Sequence, residues 1–322
     1  SIALLSPFVG DSEGFVASKF PRDLANAVRD DASSWDAFNA VTVGLAVPAL
    51  AAAKPESVKY FLEGDVDLEE LGVSYGVSES QKLDIYYHSA SSISLPVVVF
   101  VHGGAWSHGY RGMYSLLARR LRDSGYVVIV AGYRRYPEGS VGEQVQDVGG
   151  VIGWVEENIV EYGGDGRDMT IVGHSSGAHI SALHLLTTRG DCRVGAFVGM
   201  CGVYDIVEHC KWEERRGVHE ISALKPANGY IESKFAESSP ALLARSMSEE
   251  EVRAQLPPSI KLYHAKDDTT VSFKSTEAFY SSLKEKGVEV ECQLADDGGG
   301  HGGILIDLML GLDGGRFLDQ LR

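Results

Sequence analysis

Short apolar runs recur along the chain from residue 83 onward, and stretches with helical spacing lie between most of them. The first run, Leu83–Tyr87, alternates in the manner of an antiparallel strand. Residues 96–101 and 126–130 are continuous runs rich in β-branched residues, which is typical of parallel strands buried on both faces, and four later runs continue the series. The predicted strands cover residues 83–87, 96–101, 126–130, 169–172, 194–200, 260–264 and 288–294, and the predicted helices cover 113–123, 141–161, 178–188 and 273–286. This alternation predicts an α/β fold, a mostly parallel, doubly wound sheet with right-handed crossovers.

Two segments fall outside this rhythm. Residues 1–68 have a mixed, partly helical pattern, and we expect an N-terminal extension packed on the core or on a cap. Residues 69–322 are predicted to form one domain. Within it, residues 204–256 contain no strong strand pattern, only two helical stretches and the turn-rich Ser238–Pro240. Because ligands of open α/β sheets bind along the carboxyl edge, this insertion is predicted to be a helical cap over that edge.

Val41–Ala53 is the most apolar part of the N-terminal extension. It is shorter than the roughly 20 residues needed to cross a bilayer, and Gly44 and Pro48 interrupt it. We interpret it as a helix or loop packed on the core. The alternative is a substrate-gating or membrane-facing segment that makes peripheral contact with lipid.

Composition narrows the function classes. The 322 residues are 44% hydrophobic and 23% charged, as in a soluble globular protein, and the formal net charge of −16 argues against a nucleic-acid partner. The four cysteines show no Cys-x-x-Cys spacing, so neither a zinc site nor a disulfide scaffold is expected. Free thiols favour the cytoplasm or another reducing compartment. The chain begins at Ser1 without a methionine, so targeting is left open.

The pentapeptide Gly173-His174-Ser175-Ser176-Gly177 directly follows a predicted strand and precedes a predicted helix. This is the pattern of a nucleophile elbow, in which a sharp turn exposes a serine at the start of a helix. Glycines are needed two residues to either side because a β-carbon there would collide with neighbouring elements. The positive end of the following helix would point at the site where an oxyanion forms.

A serine hydroxyl needs a base and an acid that orients the base, and in the elbow architecture these follow in the order acid, then histidine. The loop after strand 260–264 carries adjacent carboxylates. Asp268 is the predicted acid, with Asp267 as the fallback. His301 is the only histidine after them, so it is the predicted base.

The residues His102–Trp106 follow strand 96–101 and have the sequence of an oxyanion-hole loop. We assign the backbone N–H groups of Gly104, Ala105 and Ser176 as donors, with Gly103 shaping the turn. His102 precedes the nucleophile by a whole βαβ unit, so a structural hydrogen bond is favoured over a role as base.

Several other side chains near these loops are candidates for substrate binding. Trp106, Tyr110 and Tyr133 follow strands, and pocket lining and rim packing were equally compatible with their positions. His174 is expected to line the pocket or to orient the elbow. The remaining histidines show no metal-binding spacing, so no metal is predicted.

Taken in order, these motifs resemble the esterase/lipase branch of the α/β-hydrolase fold, and most of all the plant-type isoprenylcysteine methylesterases and their kynurenine-formamidase-like relatives. The resemblance runs from about Val73 to the C-terminus. The residues that carry it are Leu83–Tyr86, His102–Trp106, Gly132–Gly139, Tyr162–Asp165, Gly173–His179, Ser238–Pro240 and the loop holding Asp268.

The resemblance implies a cofactor-free serine hydrolase that acts on a small or lipophilic carboxylic ester. Three alternatives stay open from the residues alone. The first is an arylformamidase or amidase, and the second is a hydrolase-fold receptor that only binds a small ligand. The third is acyl transfer to an acceptor other than water. Acyl length, oligomeric state and compartment are not specified by the sequence.

Overall fold

Eight strands form one sheet in the order β1-β2-β4-β3-β5-β6-β7-β8. The computed structural model describes residues 68–88, 94–188 and 194–311, so the predicted N-terminal extension lies outside the described residues, apart from Leu68. The strands are β1 (Glu69–Ser74), β2 (Lys82–Tyr86), β3 (Leu95–Val101), β4 (Val127–Ala131), β5 (Gly164–His174), β6 (Val194–Met200), β7 (Ser259–Ala265) and β8 (Glu291–Ala295). Strand β2 is antiparallel to β1 and to β4, and every later pairing is parallel.

Nine α-helices connect or follow these strands among the described residues. They are α1 (Ser115–Asp123), α2 (Val141–Asn158), α3 (Ser176–Thr187), α4 (Ile206–Arg216), α5 (Leu224–Ala227), α6 (Pro240–Ser246), α7 (Glu249–Gln255), α8 (Lys274–Glu285) and α9 (Gly303–Leu310). Short 3₁₀ helices cover Arg111–Tyr114, Ile159–Tyr162, Glu232–Lys234 and Gly300–Gly302. The predicted α/β architecture with a mostly parallel sheet is confirmed.

The helices cover both faces of the sheet because side chains alternate along each buried strand. On β3, Val98 and Phe100 pack in the layer that also contains α1 and α9. Val97, Val99 and Val101 face the opposite layer, which is formed by α2, α3 and α8. Strand β3 is therefore buried on both sides, as its unbroken run of apolar residues predicted.

The boundaries differ from the predictions where local sequence is ambiguous. Strand β8 begins at Glu291 rather than at residue 288, because the amide of Val288 donates to Leu283 in the turn that ends α8. The helix predicted over 141–161 ends at Asn158 and continues as a 3₁₀ turn. Strand β1 and helix α9 were not predicted. Strand β1 lies at the sheet edge and has a polar, half-exposed sequence.

The insertion between β6 and β7 contains α4 to α7 rather than two helical stretches. Asp205 caps α4 by accepting from the amide of Glu208, and Ser248 with Glu251 forms a capping box on α7. Helix α6 packs against α3 and α8, and α7 packs against α3. The insertion is thus attached to the helix that follows Ser175. Within the described part of the chain, none of the helices is both long enough and apolar enough to span a bilayer.

Replacing Phe279 with alanine tests the packing of α8 on the sheet. The ring is fully buried and stacks on Tyr204 with centroids 4.6 Å apart. Phe279→Ala should lower the free energy of unfolding by about 3–5 kcal/mol. Urea denaturation followed by circular dichroism measures the loss, and the exposed Lys274→Ala on the same helix should change it by less than about 0.5 kcal/mol. Equal effects of the two substitutions would contradict the assigned packing.

Candidate active site

Ser175 occupies the sharp turn between β5 and α3. Its backbone has φ 55° and ψ −123°, a conformation that L-residues rarely adopt, and such residues cost of order 1–3 kcal/mol each. The Ser175 amide donates to the Met200 carbonyl at 2.9 Å, which ties the turn to the end of β6. The predicted turn is present, and surrounding contacts hold its strained residue.

The flanking glycines let α3 approach the sheet closely. A β-carbon on Gly177 would lie 2.1 Å from the Val101 carbonyl oxygen, and one on Gly173 would lie 2.6 Å from the Cα of Ala178. Both distances are too short for any side chain. The elbow therefore requires glycine at both positions for packing reasons alone.

His301 lies between Ser175 and Asp268. The Ser175 hydroxyl donates to His301 Nε2 at 2.8 Å, and His301 Nδ1–H donates to Asp268 Oδ2 at 2.7 Å. The structure thus brings together the three side chains predicted from the sequence, from the ends of β5, β7 and β8. This arrangement can move a proton from a serine hydroxyl to an imidazole whose orientation a carboxylate fixes.

Asp268 is nearly fully buried and is held by several donors. Its Oδ1 accepts from the amides of Thr270 and Val271 at 2.8 and 2.9 Å, while His264 Nε2–H donates to Oδ2 at 3.1 Å. Burial alone would raise the pKa of the carboxyl. The charge of His301 and the hydrogen bonds from His264 and His301 outweigh burial and hold that pKa well below its ordinary value. Asp268 is therefore a fixed anion.

His264 is a second histidine on the same carboxylate, and the sequence analysis missed it. Its Nε2–H also points to the Val271 carbonyl at 3.0 Å, and the Thr276 hydroxyl lies 2.7 Å from Nδ1. Since both groups at Nε2 only accept, this nitrogen carries the proton. His264 stands at the end of β7, four residues before Asp268. It has no metal-ligand spacing to other histidines, and no other signal in the sequence marks its role.

Asp267, the fallback acid, does not contact His301. Its two carboxylate oxygens accept from the amides of Gly298 and Gly300 at 3.1 and 2.9 Å. These glycines belong to the loop that carries His301. The adjacent carboxylates therefore have different roles. Asp268 binds the imidazole of His301, and Asp267 holds the loop that carries His301.

The loop after β3 lies against Ser175. A β-carbon on Gly103 would lie 2.8 Å from the Ser175 Cβ. Gly104 and Ala105 have φ 139° and 49°, and within the described part of the chain their amides donate to no protein acceptor. Ser176 opens α3, where the first helical amides have no partner within the helix. The four residues predicted for an oxyanion hole thus lie beside the hydroxyl or in the loop next to it.

Trp106 anchors the loop that follows β3. Its indole Nε1–H donates to His179 Nδ1 at 3.0 Å, and His179 in turn donates from Nε2 to the Ser238 carbonyl at 2.7 Å. The Trp106 carbonyl accepts from the Tyr136 amide and from the Gln144 side chain, both at 2.8 Å. These contacts fix two successive residues with positive φ, Ala105 and Trp106.

The predicted substrate-binding side chains differ in exposure. Trp106, Tyr133 and His174 are 1%, 2% and 6% exposed, whereas Tyr110 is 53% exposed. The Tyr133 hydroxyl donates to the His102 carbonyl at 2.9 Å. For Trp106 and Tyr133, burial and hydrogen bonding favour packing over pocket lining. Of the four, only Tyr110 offers a substantially exposed ring.

Three buried histidines surround the site and are neutral. Burial is the main cause that lowers the pKa of His102 and His179 to about 4 and that of His174 to about 3. His102 Nδ1–H donates to the Gly103 carbonyl at 2.7 Å, the structural bond favoured from the sequence. His174 Nε2–H donates to the His301 carbonyl at 2.8 Å. Each of them positions a loop of the site.

The insertion is hydrogen-bonded to the surroundings of the site through two carbonyl groups, those of Ser238 and Thr270. Besides the bond from His179 to Ser238, the indole of Trp212 on α4 donates to the Thr270 carbonyl at 3.2 Å, and Arg216 donates to the same oxygen at 3.1 Å. The Thr270 amide is one of the donors to Asp268. The helices of the insertion are therefore coupled to both the loop after β3 and the acid loop.

Within residues 68–88, 94–188 and 194–311, three groups of side chains bring potential metal-ligand atoms close together. They are His174, Cys201 and His301; Cys201, His264 and Asp268; and Cys210, Glu214 and Glu232. The histidines and Asp268 already make the hydrogen bonds described above. Lys225 forms ion pairs with Glu214 and Glu232, and burial, with the nearby Asp268, raises the pKa of the Cys201 thiol well above its ordinary value. A metal would have to displace these contacts.

The BD-FAE family model matches residues 83–283 of this chain. A probable isoprenylcysteine α-carbonyl methylesterase, ICMEL1, from Oryza sativa subsp. japonica is 33% identical over 236 residues, 70% of this chain and 55% of that protein. Esterase LipC from Mycobacterium tuberculosis is 28% identical over 249 residues, 73% of this chain and 60% of that protein. The chain thus spans about half the length of the curated relatives it matches.

Solved structures share the fold. Esterase B from Lactobacillus rhamnosis superposes with a TM-score of 0.64 at 18% identity, covering 88% of this chain and 96% of that one. A truncated carbohydrate esterase from gut microbiota gives a TM-score of 0.63 at 21% identity, over 79% of this chain and 96% of that one. At these identities the likeness establishes the α/β-hydrolase fold.

The neutral buried histidines should make stability depend on pH. Their folded-state pKa values of about 3 to 4 lie below the ordinary 6.5, so the unfolded chain binds more protons below pH 6.5. The stability that these neutral histidines contribute to the folded state is fully present above pH 6.5 and is lost as the pH falls toward 4. Urea unfolding should show each such histidine costing up to about 1.4 kcal/mol per pH unit. His102→Gln should flatten the decline, and an unchanged slope would contradict the assignment.

Proposed function

We propose that this chain, which belongs to the BD-FAE family within the α/β-hydrolase esterases, cleaves a small or lipophilic carboxylic ester through an acyl-serine intermediate. The observation that carries the proposal is the hydrogen-bond chain from Ser175 through His301 to Asp268. The curated relatives are named as esterases and methylesterases, which supports a carboxylic ester as the substrate class.

In the first half of the reaction, Ser175 Oγ attacks the ester carbonyl carbon while its proton passes to His301 Nε2. The imidazolium that forms is stabilised by the Asp268 anion, whose depressed pKa keeps it ionised. His301 then gives the proton to the departing alcohol. The two donors from Thr270 and Val271 hold the carboxylate in place throughout.

The negative charge that develops on the carbonyl oxygen needs fixed donors. The amides of Gly104, Ala105 and Ser176 are the proposed donors, and each is worth roughly 3 kcal/mol in the transition state. Among the described residues the amides of Gly104 and Ala105 have no protein acceptor, which supports this role, since donors bound to a protein acceptor would have to be released first. The anchoring of Trp106 keeps this loop in one conformation before the substrate arrives.

In the second half, water takes the place of the alcohol. His301 removes a proton from the water, which attacks the acyl-serine carbonyl carbon, and the same amides stabilise the second oxyanion. Ser175 recovers its proton from His301 as the acid departs. No group beyond the three side chains and the amides is required for this sequence.

Replacing the nucleophile tests the proposal directly. Ser175→Ala should reduce kcat on a short-chain p-nitrophenyl ester by at least about a thousandfold, because the acyl intermediate can no longer form. Ser181→Ala is the matched control, since the hydroxyl of this buried serine of α3 has no hydrogen-bond partner among the residues that the structure describes. A fluorophosphonate should label the wild type and the control but not Ser175→Ala. Labelling at another residue, or full turnover by Ser175→Ala, would refute the mechanism.

The contact between Asp267 and the His301 loop yields a second test. Asp267→Ala removes the acceptor for the Gly298 and Gly300 amides. Because small misplacements of a catalytic group are costly, kcat should fall by about tenfold or more while KM changes little. Thr269→Ala, an exposed change in the same loop, is the control. Equal kcat values in the two variants, at equal thermal stability, would show that Asp267 does not position His301.

A further inference from the structure

His264 shares the carboxylate of Asp268 with the proposed base. Oδ1 accepts from the amides of Thr270 and Val271 at 2.8 and 2.9 Å. Oδ2 accepts from His301 Nδ1–H at 2.7 Å and from His264 Nε2–H at 3.1 Å. An ionised carboxylate offers about four lone-pair sites, two on each oxygen. All four sites of Asp268 are therefore occupied, and the group beside His301 on the same oxygen is a second imidazole.

The His264 ring is held so that its N–H stays on Asp268. The side chain is fully buried at the end of β7, and Nε2 also lies 3.0 Å from the Val271 carbonyl oxygen. On the other edge of the ring, Nδ1 lies 2.7 Å from the hydroxyl of Thr276, a fully buried residue of α8. Turning the ring would break the contacts at both nitrogens and leave buried polar atoms without partners, which is costly. The donor is therefore preorganised against the carboxylate.

A second donor on Oδ2 changes how strongly that oxygen binds His301. Although burial raises the pKa of Asp268, the charge of His301 and the hydrogen bonds from His264 and His301 together hold that pKa well below its ordinary value. A carboxylate whose charge is shared among four donors attracts each proton less than a carboxylate with three. His264 therefore reduces the pull of Asp268 on the proton of a His301 imidazolium. The imidazole then becomes free to accept a proton from Ser175 at a lower pH.

Other titratable or charged groups also face Asp268 and His301. They are the Cys201 thiol at the end of β6, the His174 ring at the end of β5, Arg216 on α4 and Asp267 in the loop after β7. All of these residues are retained when His264 alone is replaced. A comparison of variants at position 264 therefore isolates the effect of its N–H from the effects of the neighbouring groups.

We propose that His264 is a positioning residue for the reaction proposed above, on which this inference rests. Its Nε2–H fixes the Asp268 oxygen that orients His301, and it sets the acid end of the pH range in which the protein hydrolyses esters. A histidine that only fastened α8 to β7 would contribute to stability and leave that pH range unchanged. The pH profile of kcat/KM therefore separates the two roles, whereas a loss of activity alone does not.

Two amide side chains at position 264 give a matched pair of variants. In His264→Gln the amide nitrogen reaches the place of Nε2 and still donates to Asp268, whereas in His264→Asn it reaches only the place of Nδ1, beside Thr276. His264→Asn should move the acid limb of kcat/KM on a p-nitrophenyl ester up by about 0.5–1 pH unit, which lowers kcat/KM on that limb about three- to tenfold. His264→Gln should keep the limb at its wild-type pH. His264→Leu is a second variant without the donor, and circular dichroism at each pH confines the comparison to folded protein.

Thr276→Val is the control for packing around the ring. It removes the hydroxyl at Nδ1 and should lower the melting temperature, but it leaves the N–H on Asp268, so the acid limb should not move. An acid limb that stays at its wild-type pH in His264→Asn and His264→Leu would overturn the inference, as would an equal shift in His264→Gln or in Thr276→Val. A wild type that does not hydrolyse the ester, or that is matched by Ser175→Ala, would refute the proposed function itself and this inference with it.

Discussion

The close approach of α3 to the sheet at Gly177 is the constraint on which the site depends. The Val101 carbonyl occupies the space that a β-carbon would need, so the helix can begin directly above the end of β3. That approach forces Ser175 into its strained conformation and brings the loop after β3 against the serine. The hydroxyl, the loop amides and the first turn of α3 thus share one small volume because two residues lack side chains.

In the other half of the site, the two adjacent carboxylates of the loop after β7 bind different groups. Asp268 is buried and receives donors from its own loop, from His264 and from His301, while the exposed Asp267 holds the glycine-rich segment that bears His301. A single loop thereby fixes both the orientation of the imidazole and the position of its backbone. His174 adds a third contact to the same segment through the His301 carbonyl.

The sequence predicted the parts whose signals are local. Apolar runs identified β3 to β7, the pentapeptide around it identified Ser175, and chain order then selected Asp268 and His301. It could not predict β1, whose polar residues are stabilised by pairing with β2, or the start of β8, which depends on a turn at the end of α8. The roles of His264, Asp267 and the Trp106–His179 pair depend on distances between loops of different strands. No spacing along the chain encodes those distances, so only the folded structure assigned them.

The hydrogen bonds from Trp212 and Arg216 to the Thr270 carbonyl have a consequence for how this protein can diverge. The insertion that contains these residues lies between β6 and β7 and packs on α3, the helix that follows Ser175. Yet its helix α4 donates to the carbonyl of the peptide group between Thr270 and Val271, and the N–H of the same peptide group donates to Asp268. Substitutions that displace α4 therefore act on the acid loop as well, so the insertion and the surroundings of Asp268 cannot diverge independently.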